Sequence, residues 1–373
     1  MAVEIREVTG PREMRRFILL PWKIYKGDPN WVAPLIMDQK TLLSVEKNPF
    51  YKHCETQHFL AYKDGKPAGR ISALVNSNYN EFQGEKTGFF GFFESVRDGE
   101  VSGALFKAAE DWVRARKMDR LRGPTNPSTN DTLGLLVDAF DQPPAVMMPY
   151  NPVYYVDLYQ DYGLKKAKDL YSYYLEASWM ITEKIKRVTE LIRRRHNITV
   201  RHINIKKIDQ EIELVKVIYN DAWSKNWGFV PWTDEELEHL GHELKPVAIA
   251  ELVFFAYVDG EIAGFSLTLP DLYQALRHIN GRLFPFGLFK LLWYSRKIDR
   301  VRTLAMGVRK QYRLMGIDAV FYYETFLEGT KRGLAKGECS WILEDNLPMR
   351  LALEKMGALR YKTYRLYDKE FSG

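Results

Sequence analysis

The segment from Phe59 to Gly69 reads Phe-Leu-Ala-Tyr-Lys-Asp-Gly-Lys-Pro-Ala-Gly, and that from Phe254 to Gly264 reads Phe-Phe-Ala-Tyr-Val-Asp-Gly-Glu-Ile-Ala-Gly. Seven of the eleven positions agree, at an offset of 195 residues. Each copy has the pattern of a strand, an Asp-Gly turn and a second strand, which is an antiparallel hairpin. A second matching pair, Tyr162 to Lys168 and Met356 to Lys362, keeps nearly the same spacing, at an offset of 194. Two distant landmarks that hold their spacing imply a duplicated domain. A chain of 373 residues suits two domains better than one. The seam is expected near 177/178, giving a first domain of residues 1–177 and a second of 178–373. Helix-like Glu183 to Arg195 lies beside it.

In the second copy, Thr199 to Ile208 alternates as a strand does, and Gln210 to Ser224 is amphipathic at helical period. Lys225 to Trp232 reads as a polar-aromatic loop. Thr233 and Glu236 form a capping-box pattern ahead of a helix through Leu244. The hairpin spans Leu252 to Leu269. After an apolar-basic insertion at 271–300 come a strand (Arg302 to Val308), a basic loop and a helix (Gly316 to Lys331). A strand (Ser340 to Leu343), a helix (Leu347 to Met356) and a strand (Leu359 to Tyr367) complete it. The first copy follows the same order, with strands near Val3 to Val8, Phe59 to Val75 and Gly88 to Ser95, and a helix at Val101 to Lys117. The predicted class is α/β: two tandem domains, each a mixed, mostly antiparallel twisted sheet flanked by helices.

Composition narrows the function classes. Cys54 and Cys339 are far apart and give neither a disulfide framework nor a zinc site, and the seven histidines form no metal pattern. No metal is expected. A net charge of +6 is mild for this length and does not point to nucleic acid. No run of about 18 apolar residues occurs, and the charged stretch Met1 to Gly10 lacks a signal-peptide core. A cytoplasmic protein is expected.

The stretch from Val308 to Ile317, Val-Arg-Lys-Gln-Tyr-Arg-Leu-Met-Gly-Ile, carries the clearest chemistry. A strand ends, a basic loop with one glycine follows, and a helix begins. Amides at such a junction lack helical partners. With the positive end of the helix dipole they make an anion site suited to a pyrophosphate. Gly316 lets the backbone approach the anion, and Arg309, Lys310 and Arg313 add charge. Further on, Asn346 opens a short helix that ends in Glu354-Lys355-Met356-Gly357.

In these two segments the chain resembles the GNAT superfamily of acyl-CoA N-acyltransferases. Arg313-Leu-Met-Gly316 matches the family's acyl-CoA loop, although Asp318 stands where a small residue is usual. Asn346, Glu354, Lys355 and Gly357 match its later motif. Leu353 replaces the tyrosine that protonates the leaving thiolate in many members. As a whole the chain resembles tandem GNAT proteins of the ceramide-synthase-like group. The resemblance implies acyl-CoA or acetyl-CoA as co-substrate and a small-molecule or lipid-like amine as acceptor. Met306, Val308, Gln311, Arg313, Leu314, Gly316, Ile317 and Asn346 are then expected to bind the co-substrate. Glu344, Glu324 and Asp271 are candidate proton acceptors by position, Tyr323 and Tyr322 candidate acids, and Asn346 a further candidate at the chemistry.

The first copy departs from this pattern. Asp98 and Glu100 follow its third strand and would repel a pyrophosphate, so this domain is expected to have lost cofactor binding and to serve a substrate or structural role. Its loop from Gly123 to Asp131 places Asn126, Ser128, Asn130 and Asp131 either in an ordinary rigid turn or around a polar substrate head group. Trp227 and Asp271 are further candidates for acceptor recognition. In the insertion, aromatic and aliphatic residues from Phe284 to Tyr294 crowd among basic ones. Such a face suits a bilayer interface, an acyl-chain tunnel or packing on the other domain. Peripheral contact of 284–297 with the inner face of the membrane is one expectation. The rival functions are a non-catalytic acyl-CoA or lipid-binding module and an aminoacyl-tRNA-dependent transferase, against which the modest charge weighs.

Overall fold

A computed structural model describes residues 2–371. The chain forms two compact units. The first contains the residues up to Leu170, the segment Ile279–Gly287 and the chain from Lys362 on; the second contains Tyr171–His278 and Leu288–Tyr361. The division after Leu170 lies seven residues before the seam expected from sequence, and two later segments return to the first unit.

Strands of the first unit run in the order Glu4–Glu7, Cys54–Lys63, Lys66–Asn76, Thr87–Ser95 and Arg120–Gly123. The last of these pairs with Tyr367 to Glu370. Thr87–Ser95 and Arg120–Gly123 are parallel, and the other neighbours are antiparallel. The second unit repeats the order with Ile198–His202, Val253–Val258, Glu261–Pro270, Arg300–Val308 and Lys336–Leu343, and again only the last two are parallel. Beside Lys336–Leu343 runs Lys165–Glu176, whose residues from Tyr171 belong to this unit. Each sheet thus takes its sixth strand from the other half of the sequence.

The two hairpins match residue for residue. Asp64 and Gly65, like Asp259 and Gly260, have positive φ, as a type I′ turn requires. Each ladder carries a bulge at the same step, after Ala61 in the first copy and after Ala256 in the second. Duplication preserved the irregularity as well as the pattern.

Packing follows the periodicities. Helix Gly99–Ala115 lays Val101, Leu105, Phe106, Ala109 and Val113 on Phe59, Ala61, Ile71 and Phe90. In the second unit successive strand residues face opposite ways. Phe254 and Ala256 meet Ile317 and Phe321 of helix Ile317–Thr330, whereas Phe255 meets Ile218 and Ala222 of helix Ile208–Trp223. Complete burial of a side chain such as Phe321 contributes roughly 2–3 kcal/mol.

Local readings met two corrections. The strand expected over Thr199 to Ile208 stops at His202, because the Asn204 side chain accepts from Lys206 N and starts a turn. The strand expected at Ser340 begins earlier, at Lys336. The capping box at Thr233 and Glu236 is present with both of its hydrogen bonds.

One buried histidine sets a pH dependence. His58 contacts Ser72 Oγ at 2.7 Å, and burial, with the nearby Arg70 guanidinium, pulls its pKa down to about 4. An unfolded histidine titrates near 6.5, so protonation favours unfolding. This contribution to stability is complete above pH 6.5 and is lost as the pH falls toward 4. Denaturant titrations should show a loss of about 2 kcal/mol between pH 7.5 and 5, reduced in His58→Gln.

Candidate functional site

In the second unit, strand Arg300–Val308 pairs with its parallel neighbour only from Arg300↔Lys336 to Thr303↔Cys339. There its other ladder shifts register: Thr268 faces Thr303 but Leu267 faces Ala305, leaving Leu304 as the extra residue. The bulge turns the strand, and beyond it the two parallel strands are no longer paired with each other. Alternate amides between Ala305 and Val308 therefore face a gap. An extended ligand with amide groups of its own could bond there as a strand would.

The gap leads to the mouth of helix Ile317–Thr330. Leu314 and Gly316 both adopt left-handed backbone, with φ of 68° and 78°. Gly316 stands at the N-cap and supplies no capping side chain. The amides of Leu314, Met315, Gly316, Ile317 and Asp318 meet no protein acceptor among the described residues. The Leu314 side chain is fully exposed. Open amides at the positive end of a 14-residue helix are what an anion needs.

The basic side chains expected to add charge here brace the loop. Arg309 Nη1 donates to Ile262 O at 3.0 Å, Lys310 Nζ to Ser224 Oγ at 3.1 Å, and Arg313 Nη2 to Ala222 O at 2.6 Å. The Lys310 amide donates to Asp221 Oδ2 at 2.7 Å. The first half of the loop is thus tied to the end of helix Ile208–Trp223, and only the second half presents free amides. Asp318 lies within electrostatic reach of Tyr322, one turn further along the helix.

The first unit has a bulge in the corresponding ladder, between Arg70↔Glu94 and Ser72↔Gly91, but the strand's free amides there are bonded from within. Asn126 Oδ1 accepts from Phe92 N, and Tyr155 OH from Ser95 N at 2.9 Å. A Cβ on Gly91 would lie 1.6 Å from Thr125 O. At the corresponding helix mouth the Asp98 carboxylate accepts from Glu100 N at 3.0 Å and Val101 N at 3.3 Å, and pairs with Lys63. Asp98 thus caps amides at this helix start, where the second unit has Gly316 and no capping side chain. Ser128, Asn130 and Asp131 close a turn on themselves, with Ser128 Oγ donating to Asp131 Oδ2 at 2.6 Å and accepting from Asn130 N at 3.1 Å.

No family model matches the chain. It is 37% identical to the bacterial ceramide synthase of Caulobacter vibrioides, over 97% of this chain and 96% of that protein. It is 34% identical to Protein YghO of Escherichia coli, over 98% and 95%. A tandem GNAT protein from the clavulanic acid biosynthesis pathway shares the fold along its length, with a TM-score of 0.59 at 10% identity, covering 100% of this chain and 99% of that one. The chain belongs to the family of bacterial ceramide synthase and has the tandem GNAT fold. A GNAT structure from Sphaerobacter thermophilus shares the fold too, with a TM-score of 0.54 at 14% identity over 99% and 95%.

Within this fold the acid-base candidates fare unevenly. Glu324 is held by Arg193 at 2.8 Å, and Asp271, fully buried, by Arg300 at 2.7 Å. Both read as structural pairs. Asn346 caps its helix, accepting from Met349 N at 3.4 Å, and Tyr323 is buried. Glu344, half-buried, directly follows strand Lys336–Leu343, and its carbonyl accepts from Arg350. Trp227 is half-buried beyond helix Ile208–Trp223. Leu353 is fully enclosed with Tyr322, Phe326 and Cys339, so the family's acid position is part of the core. Among the described residues no His, Cys, Asp or Glu cluster could hold a metal.

Sequence reasoning missed one buried polar network. Ser340 Oγ donates to Glu338 Oε1 at 2.5 Å and accepts from Arg302 Nε at 2.8 Å, and Tyr361 OH donates to Glu338 Oε2. Glu338 fell outside the strand as read, because Lys336 and Glu338 look like a solvated loop.

Proposed function

We infer that the second unit binds an acyl-coenzyme A and that the acyl group passes to the nitrogen of a lipid-like amine. The observation that carries this reading is the contrast between two homologous helix mouths. One is closed by Asp98, and the other is opened by Gly316. Family membership supports the transfer, and the name of the ceramide synthase relative supports a long-chain amine.

The chemistry needs few groups. An uncharged amine attacks the thioester carbonyl, forming the C–N bond. The amine proton passes to a base, for which Glu344 at the strand end is the best-placed candidate, and the C–S bond breaks. Free amides along Ala305 to Val308 would meet the oxygen as charge builds there. A thiol with a pKa of about 8.5 leaves as thiolate and takes its proton from water, so a buried leucine at position 353 does not bar the reaction.

Titration with acyl-coenzyme A of several chain lengths should give one bound molecule per chain. Free thiol should then appear only when a long-chain amine is added. Two molecules per chain would contradict the closure of the first unit. Binding without thiol release under any amine would favour a non-catalytic acyl-CoA-binding protein, the reading that Leu353 recommends.

A further inference from the structure

Helix Gly287–Ser295 has two apolar faces. Leu291 and Tyr294 turn inward and pack with Leu252, Ala275, Ile298 and Val301. Leu288, Phe289, Leu292 and Trp293, at positions i, i+1, i+4 and i+5, form the outer face and are 40, 71, 58 and 57% exposed. Phe284 and Phe286, in the turn leading into the helix, are 78 and 70% exposed. Among the described residues five Phe or Trp side chains stand this exposed, and four lie in these ten positions. A concentration of that kind marks an interaction surface.

The fold holds this turn firmly. A Cβ on Gly287 would lie 1.8 Å from the Arg282 carbonyl oxygen, so the bend admits only glycine. At its base Ile36 N donates to Gly281 O at 3.0 Å, and Trp22 Nε1 to Asn280 O at 3.2 Å.

Charge indicates the partner. From Leu272 to Ile298 the chain has five basic residues, Arg277, Arg282, Lys290, Arg296 and Lys297, and no acidic one. Arg282, Lys290, Arg296 and Lys297 are exposed. Lys297 Nζ lies 5.6 Å from the Trp293 ring centre. Aromatic rings beside exposed bases fit the headgroup layer of an anionic bilayer, where rings sit at the acyl boundary and bases meet phosphates. At nine residues the helix is too short to span a bilayer and would lie in the interface. We propose that residues 284–297 dock this chain on a membrane surface rich in anionic phospholipid.

Co-sedimentation of the full chain with vesicles tests this. Wild type should bind phosphatidylglycerol vesicles, lose binding as salt rises, and bind phosphatidylcholine vesicles weakly. Each base near such a surface contributes about fivefold in partitioning, so Lys290→Gln, Arg296→Gln and Lys297→Gln together should weaken binding by about a hundredfold. Phe289→Ser with Trp293→Ser should weaken it at least about tenfold, while leaving the thermal unfolding midpoint unchanged. Absence of wild-type binding, or equal binding by both variants, would overturn the proposal. So would a wild-type dimer that either variant converts to monomer, which would assign the face to a second copy.

Discussion

Gly316→Glu is expected to cut acyl-coenzyme A affinity by about a thousandfold while the chain stays folded. The new carboxylate would stand in the helix mouth. Like charges about 4 Å apart at an effective dielectric of 20 repel by about 4 kcal/mol, which is about a thousandfold in binding. The folding cost is smaller. Gly316 has φ of 78°, and a non-glycine residue there costs roughly 1–3 kcal/mol. A Cβ would also approach Ile192 Cδ1 to 2.9 Å, but that contact is the movable end of a side chain. Gly316→Ala carries the strain without the charge and should weaken binding by about tenfold or less. Calorimetric titration of both variants separates the two effects. The complementary change, Asp98→Gly, should not create a second site, because Asn126 and Tyr155 still hold the strand amides of the first unit. Wild-type affinity in Gly316→Glu would show that this loop does not bind the co-substrate.

How much of this was legible in the sequence depended on the range of the interaction. The duplication was, because the Asp-Gly turns and their flanking strands are local patterns. The open turn ahead of helix Ile317–Thr330 was, since a strand, a glycine and a helix start lie within ten residues. The capped helix mouth of the first unit was half legible. Asp98 could be read as repulsive, but its role as a cap that fills the mouth needs the geometry of Glu100 N and Val101 N. The fate of Asn126 was hidden, because its partner, Phe92 N, is 34 residues away. Arg309, Lys310 and Arg313 looked like anion ligands because charge is visible in sequence and carbonyl partners such as Ala222 O are not. The return of the chain end to the first unit was invisible for the same reason. Strand pairing over more than two hundred residues leaves no mark in either segment.

That return predicts the second large effect. Arg122 is almost wholly buried and forms a two-pronged pair with Asp368, Nε to Oδ1 at 2.8 Å and Nη2 to Oδ2 at 2.7 Å. Asp368 belongs to the strand that completes the first sheet, where it faces Arg122 across the ladder. Tyr79 OH, at 2.8 Å, and the more exposed Glu85, at 3.1 Å, also meet the guanidinium. Asp368→Asn leaves a buried cation without its best partner, which costs about 3–5 kcal/mol. Replacing both residues with leucine removes charge and partner together and should cost less than the single change, since a buried pair repays little beyond its own desolvation. Guanidinium denaturation followed by circular dichroism measures both. A loss below about 1 kcal/mol in Asp368→Asn would mean that Glu85 suffices to hold the arginine and that the chain end is not a necessary strand of the first unit.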